Sequence, residues 1–233
     1  MRWNGVGYSL AIFSTVMLTA AVGGSSALAQ AKKDAPPAAS TPAGSAPALA
    51  SAVELTGFRS AKFGMNEYDV KAAITKDFGV KADAIKADTN RNEQTRILTV
   101  KASDVLSGGG AAEVSYVFGF KSKTLIQVGV SWSKTTDENM TPEQLFSNST
   151  VLRSHFLSAG YKPDTVATNM PINNGILMFR GSDAKDRTTL LILQGTLNQG
   201  DNNQRVLTPT ALLLFYVADA KSPDVYRLPS GSF

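Results

Sequence analysis

The stretch Gly64-Met65-Asn66-Glu67-Tyr68-Asp69-Val70, running on to Gly79-Val80-Lys81-Ala82-Asp83, decides how the rest of the chain is read. Asn66 can accept from the first free amides of a helix, and Asp69 adds an acceptor that favours the positive end of the helix dipole. Val70, Ala73, Ile74 and Phe78 then recur at helical spacing and form one apolar stripe. Gly79 suits the left-handed residue that follows a helix. The stretch therefore reads as a capped amphipathic helix that stops on a glycine and feeds an extended segment.

Downstream the period changes to two. Arg96 to Lys101 is a short mixed strand. In Glu113 to Phe120, Val114, Tyr116, Phe118 and Phe120 alternate with Ser115 and Gly119. In Leu125 to Ser133, Ile126, Val128, Val130 and Trp132 share a face opposite Gln127, Gly129 and Ser131. Joined through Lys121-Ser122-Lys123-Thr124, these two runs predict a hairpin with one buried face. Ser107-Gly108-Gly109-Gly110 before it reads as a flexible loop.

A second helix opens at Thr141-Pro142-Glu143-Gln144, where Thr141 and Gln144 match a capping box and Pro142 takes the tolerated first position. Leu145, Val151, Leu152 and Phe156 supply its stripe, and Gly160 is expected to end it. Strand-like runs follow at Ile176 to Arg180, Thr188 to Leu193 and Ala211 to Ala218. Asn198 to Arg205 reads as a polar, mobile loop and the tail from Ser222 as peripheral.

The ending of the first helix has an echo. Gly79-Val80-Lys81-Ala82-Asp83-Ala84-Ile85 and Gly160-Tyr161-Lys162-Pro163-Asp164-Thr165-Val166 share glycine, bulky apolar, lysine, aspartate and β-branched positions in register, and three strand candidates follow each. The expected architecture is α+β: an antiparallel sheet with two helices on one face, as a tandem of helix-plus-meander units over 57–136 and 137–220 within a domain spanning 53–221, with 222–233 as tail.

Ahead of that domain, Arg2, the apolar run Val6 to Val22 and Ala27-Leu28-Ala29 match a secretory signal peptide over 1–29, with cleavage expected after Ala29. The competing reading is an uncleaved anchor, but the run falls short of the ~20 apolar residues a span needs. Residues 30–52 contain four prolines and almost no large apolar side chain, so they read as a disordered tether. The expected location is a bacterial periplasm or the exterior.

Of the 233 residues, 43% are hydrophobic and 18% charged, a balance that can build a core. The formal charge is +4, and removing residues 1–29 takes away Arg2 and no acid, leaving +3. Basic residues are scattered among acids, which argues against a nucleic-acid face. With no cysteine, disulfides, thiolate metal sites and Cys-borne lipid anchors are excluded.

Gly64-Met65 followed by a capped helix carrying Asp69-Val70, and then a meander, resembles the helix-opening pattern of the SmpA/OmlA (BamE) envelope family. The doubled form is similar to the β-lactamase-inhibitor-protein (BLIP) fold, a tandem of such units. The resemblance implies an envelope or secreted interaction domain. It departs in having neither the lipid-bearing cysteine of the first family nor the cysteines of the inhibitor, and no functional residue is carried over.

No catalytic constellation stands out. His155, the single histidine, lies on the second helix beside Phe156. Asp137, Glu138 and Glu143 near a helix start, and Asp183 with Asp186 around a turn, lack calcium-loop spacing. Ser131-Trp132-Ser133-Lys134 matches Ser-x-x-Lys by letter, but the serine of that motif opens a helix and Ser131 ends a strand. Asn148-Ser149-Thr150, a glycosylation triplet, falls inside the second helix.

Phe118, Phe120 and Trp132 read as core. If the opposite sheet face is open, its candidate partner-binding residues are Gln127, Ser131 and Ser133. The expectation is a non-catalytic exported interaction protein with an envelope protein partner, no cofactor, no metal and no nucleic acid. The alternatives are a secreted enzyme inhibitor acting through the sheet face and a hydrolase using paired carboxylates.

Overall fold

The computed structural model describes residues 52–103, 105–199, 205–228 and 231. The expected signal peptide, nearly all of the expected tether and the centre of the 198–205 loop lie outside them.

A small hairpin of β1 (Gly57–Phe58) and β2 (Ala61–Lys62) precedes α1 (Glu67–Phe78), a 3-10 turn (Ala82–Ala84), β3 (Lys86–Asn90), β4 (Thr95–Ala102), β5 (Ala112–Phe118) and β6 (Leu125–Ser133). Then come α2 (Pro142–Leu157), a 3-10 turn (Pro163–Thr165), β7 (Met170–Ile172), β8 (Gly175–Ser182), β9 (Thr188–Gln199) and β10 (Arg205–Val217). Eight strands make one sheet in the order β3-β4-β5-β6-β10-β9-β8-β7, all pairs antiparallel. The fold is α+β, with an antiparallel sheet and two helices.

The caps form where the side chains allow them. Asn66 Oδ1 accepts from the Asp69 amide at 3.0 Å, and Gly79 adopts φ 64° while its N–H reaches the Thr75 carbonyl at 2.9 Å. At α2, Thr141 Oγ1 accepts from the Gln144 amide at 3.2 Å. The Gln144 side chain does not complete the expected box. It donates instead to Asn148 Oδ1 at 2.9 Å and to the Gly108 carbonyl at 3.3 Å. The helix ends on Ser158 rather than Gly160, whose φ of 77° turns the chain two residues later.

One apolar core lies between the helices and one face of the sheet. Val70, Ala73 and Ile74 of α1 and Leu145 and Phe156 of α2 join Leu98, Val114, Tyr116, Val130, Trp132, Leu191 and Leu214 in it. The Phe156 ring packs on Phe179 at 5.4 Å and meets Tyr216 edge-on at 6.4 Å. Val151, expected on the α2 stripe, is exposed.

Other expectations change for local reasons. Each helix is followed by four strands, because β3 and β7 add an edge strand on either side. In β6, Val117 pairs with Gln127 but Phe118 pairs with Leu125, so Ile126 is the extra residue of a bulge and Leu125 takes its place in the core. Phe120 lies beyond β5 and packs edge-on with Tyr226 at 5.4 Å. β9 reaches Gln199 and β10 starts at Arg205, so Asn198, Gln199 and Arg205 at the ends of the expected polar loop are strand.

Two segments read as loose are tied down. The glycine loop is held on α2: Asn148 Nδ2 donates to the Gly109 carbonyl at 2.8 Å. In the tail, Asp224 accepts from the amides of Lys121 and Ser122 at 3.0 and 2.8 Å, and the Tyr226 amide donates to the Glu93 carbonyl.

The β4–β5 and β8–β9 connections each clasp the segment leading into a helix of the other half of the chain. The Ala111 amide donates to Asp137 Oδ2 at 2.9 Å, ahead of α2. The Leu55 amide donates to Asp183 Oδ2 at 2.9 Å, ahead of α1.

Candidate functional site

Because side chains alternate across a strand, the strand residues between core positions form the second face, opposite both helices. The register fixes its rows. One row runs Lys101, Glu113, Ser131, Leu213, Ile192, Leu177 across β4, β5, β6, β10, β9 and β8. The next runs Thr99, Ser115, Gly129, Phe215, Leu190, Arg180, and a third runs Ile97, Val117, Gln127, Val217, Thr188, Ser182. Each row passes from a mixed or polar half on β4 to β6 into apolar side chains on β10.

The three expected residues fare differently. Gln127 sits between Val117 and Val217 and is only 5% exposed, so it offers little to a partner. Ser131 and Ser133 are half-buried and remain reachable. Ser133 Oγ lies 2.7 Å from Thr135 Oγ1, within the turn after β6.

The apolar part of this face escaped the strand-by-strand reading. Leu213, Phe215 and Val217 are buried on it. The signal was the unbroken apolar run Ala211 to Val217, which marks a strand apolar on both sides. Gly129 accommodates Phe215: a Cβ there would stand 3.2 Å from Phe215 Cε1 and 2.7 Å from Ser115 Oγ.

At the Ser133 end the face continues outward. Ser133 pairs with Ala211 and Ala211 with Gln194, all half-buried. The Gly195 amide still donates to the Asn174 carbonyl at 3.1 Å, and beyond it Thr196–Gln199 and Arg205–Thr208 pair only with each other, making a two-stranded ribbon that runs past the flanking strands. By alternation Thr196, Asn198, Val206 and Thr208 carry the second face along the ribbon. Asn198 Nδ2 donates to Thr208 Oγ1 at 3.0 Å, and Val206 is 52% exposed. Leu207, on the other side, packs against the core.

Lys101, Glu113 and Arg180 carry charge in these rows, while the acidic groups engaged by amides and cations lie elsewhere and serve the structure. Amide donation from Ala111 and Asn139 holds the Asp137 carboxyl below its usual range. The Lys185 and Arg187 side chains lower Glu54 in the same way. Asp186 is bonded by Lys162 and Lys221 and falls to about 2. Buried Asp183 accepts four hydrogen bonds. His155 is exposed and touches Phe156 edge-on at 5.4 Å. Among the described residues, no three His, Asp or Glu side chains converge as metal ligands.

Around Ser131 and Ser133 the surface offers hydroxyls, side-chain amides and apolar side chains, with exposed Glu113 beside Ser131, and such groups can hydrogen-bond and exclude water. No family model, curated protein or solved structure matches the chain.

Proposed function

We propose that the protein is a non-catalytic exported interaction protein of the cell envelope. It engages a protein partner through the Ser131–Ser133 end of the second sheet face and the adjoining ribbon. The observation that carries this reading is the continuity between half-buried Ser131, Ser133, Ala211 and Gln194 and exposed Val206 on the adjoining ribbon. Uncharged polar groups mixed with apolar ones suit a protein surface, whereas a nucleic-acid face would need a cluster of cations.

We read the architecture as a tandem pair of helix-plus-strand units. Support comes from the order helix, 3-10 turn, four strands, which occurs twice, with both turns falling on the echoed Lys-x-Asp positions. In this reading the last strand of each unit, β6 and β10, meet at the centre of the sheet. The inhibitor alternative uses the same face and differs only in its partner. The hydrolase alternative has less support, because Glu54, Asp137, Asp183 and Asp186 are each engaged by amides or cations.

The test compares capture of partners from an envelope extract by the wild-type protein and by the folded variants Ser131→Arg and Val206→Arg. The reading expects a defined partner that both variants lose. Equal capture by all three proteins, or no partner for the wild type, overturns it.

A further inference from the structure

We propose that β3, at one edge of the sheet, pairs with β3 of a second copy about a twofold axis through Ala87, making a weak dimer with one continuous sheet. β3 has a neighbour on one side only, and Lys86, Ala87, Asp88 and Thr89 are all exposed. The pairs Lys86↔Thr99, Asp88↔Ile97 and Asn90↔Thr95 place Lys86 and Asp88 on the second face and Ala87 and Thr89 on the helix side.

The backbone shows which groups are free. The Thr89 amide donates to Asp88 Oδ1 at 2.7 Å, and the Ile85 amide turns back to the Ala82 carbonyl. With both amides engaged locally, the alternation of an antiparallel ladder makes Ala87 and Thr89 of β3, and Ile85 just before it, the outward-facing residues. The Ala87 N–H and C=O are therefore presented at the edge. Two Ala87 residues facing each other would exchange both bonds, the requirement for a hydrogen-bonded antiparallel pair.

That register also settles the charges. Placing Ala87 on the axis sets Lys86 opposite Asp88 of the second copy, twice, on one face of the joined sheet. Shifting the axis to Asp88 would set two carboxylates against each other. Opposite charges directly across a strand pair are stabilising and like charges are not. Neither Lys86 nor Asp88 takes part in an ion pair among the described residues, so both are available. In the single copy the Asp88 carboxylate covers the Thr89 amide. On pairing it turns to Lys86 of the second copy and frees that amide for the Ile85 carbonyl opposite. An edge guarded in this way favours one self-complementary partner over arbitrary strands.

Sedimentation of the full chain across a range of concentrations tests the idea. The expected result is a reversible monomer–dimer equilibrium. Lys86→Asp should weaken association about tenfold or more, and Asp88→Lys similarly. The double variant carrying both changes restores the complementary pairs and should return association to near the wild-type value. A wild-type chain that stays monomeric at about 500 μM, well above any association strong enough to matter, overturns the proposal. So does a dimer indifferent to Lys86→Asp, or a double variant that fails to restore it. The surface positions leave folding intact, and circular dichroism of each variant checks that.

Discussion

The ring of Phe215 in β10 lies over Gly129 in β6, so close that a side chain on the glycine would begin 3.2 Å from Phe215 Cε1. The Ser115 hydroxyl sits on the other side, 2.7 Å from the same point. Gly129 does not have a positive φ, so its need is for space alone. Gly129→Val should destabilise the fold by about 1 to 3 kcal/mol through overpacking, and Gly129→Ala by less. Adding Ser115→Ala to Gly129→Ala removes one of the two obstructions and should recover part of the loss. Urea unfolding of wild type, Gly129→Ala, Ser115→Ala and the double variant measures the coupling. Additive effects would show that the three side chains do not share this space.

A second expectation concerns Asp183, which is 1% exposed and ties the β8–β9 turn to the chain ahead of α1. Its carboxylate accepts from the amides of Leu55, Lys185 and Arg187 at 2.9, 2.8 and 3.0 Å and from Arg187 Nε at 2.8 Å. Asp183→Ala leaves these donors unpaired in a buried place and should cost about 3 kcal/mol or more. The loss should be local as well as global. Hydrogen exchange at Leu55 and Arg187 should rise more than at Leu98, in the middle of β4. Uniform loss of protection would mean that Asp183 matters only to overall stability.

These two sites show where the sequence is readable. The helices were legible because their caps are local: Asn66 and Thr141 each satisfy an amide three residues away. The strand centres were legible from alternation. The edge strands were not, since Lys86–Asn90 has no buried side chain and therefore no apolar alternation. The bulge at Ile126 was hidden because it depends on how residues of β5 and β6 are counted against each other. The burial of Gln127 is hidden in the sequence for a related reason. A polar residue between small neighbours suggests solvent, but its real neighbours are Val117 and Val217 on adjacent strands. The candidate face came into view only when the rows across strands were known.

The glycine loop yields a third prediction. Asn148 is buried on α2, and its side-chain amide donates to the Gly109 carbonyl while accepting from Gln144 Nε2. With that nitrogen buried and bonded, Asn148 should stay unmodified even where the triplet is exposed to glycosylation machinery. Asn148→Ala should cost about 1 to 2 kcal/mol and speed amide exchange at Gly109, whose N–H donates to the Leu106 carbonyl at 2.8 Å. Asn148→Asp places a carboxylate against that carbonyl and should be worse than alanine at neutral pH. If both variants leave exchange in the loop unchanged, Asn148 does not hold it.

The last prediction follows from the Lys162–Asp186–Lys221 bridge, in which Asp186 receives a hydrogen bond of 2.8 Å from each lysine. The bond from Lys162 is the larger influence, followed by that from Lys221, and together they bring the Asp186 carboxyl down to about 2. Unfolded, this carboxyl titrates near ~3.9. A group whose acidity is strengthened by folding contributes its stability above the unfolded value and loses it as pH falls through the folded one. The contribution of Asp186 should therefore be complete at pH 5 and above and should vanish between about pH 4 and pH 2. Lys162 is shifted the opposite way, upward, chiefly by the same bond, so its share persists at neutral pH and disappears only as pH rises past the ordinary lysine range. Both side chains are solvated, so the effect should shrink in high salt. Urea midpoints of wild type and Asp186→Asn, measured from pH 6 down to pH 2, should differ at pH 6 and converge as the acid is approached. A gap that stays constant with pH would mean that the charge of Asp186 does not stabilise the fold.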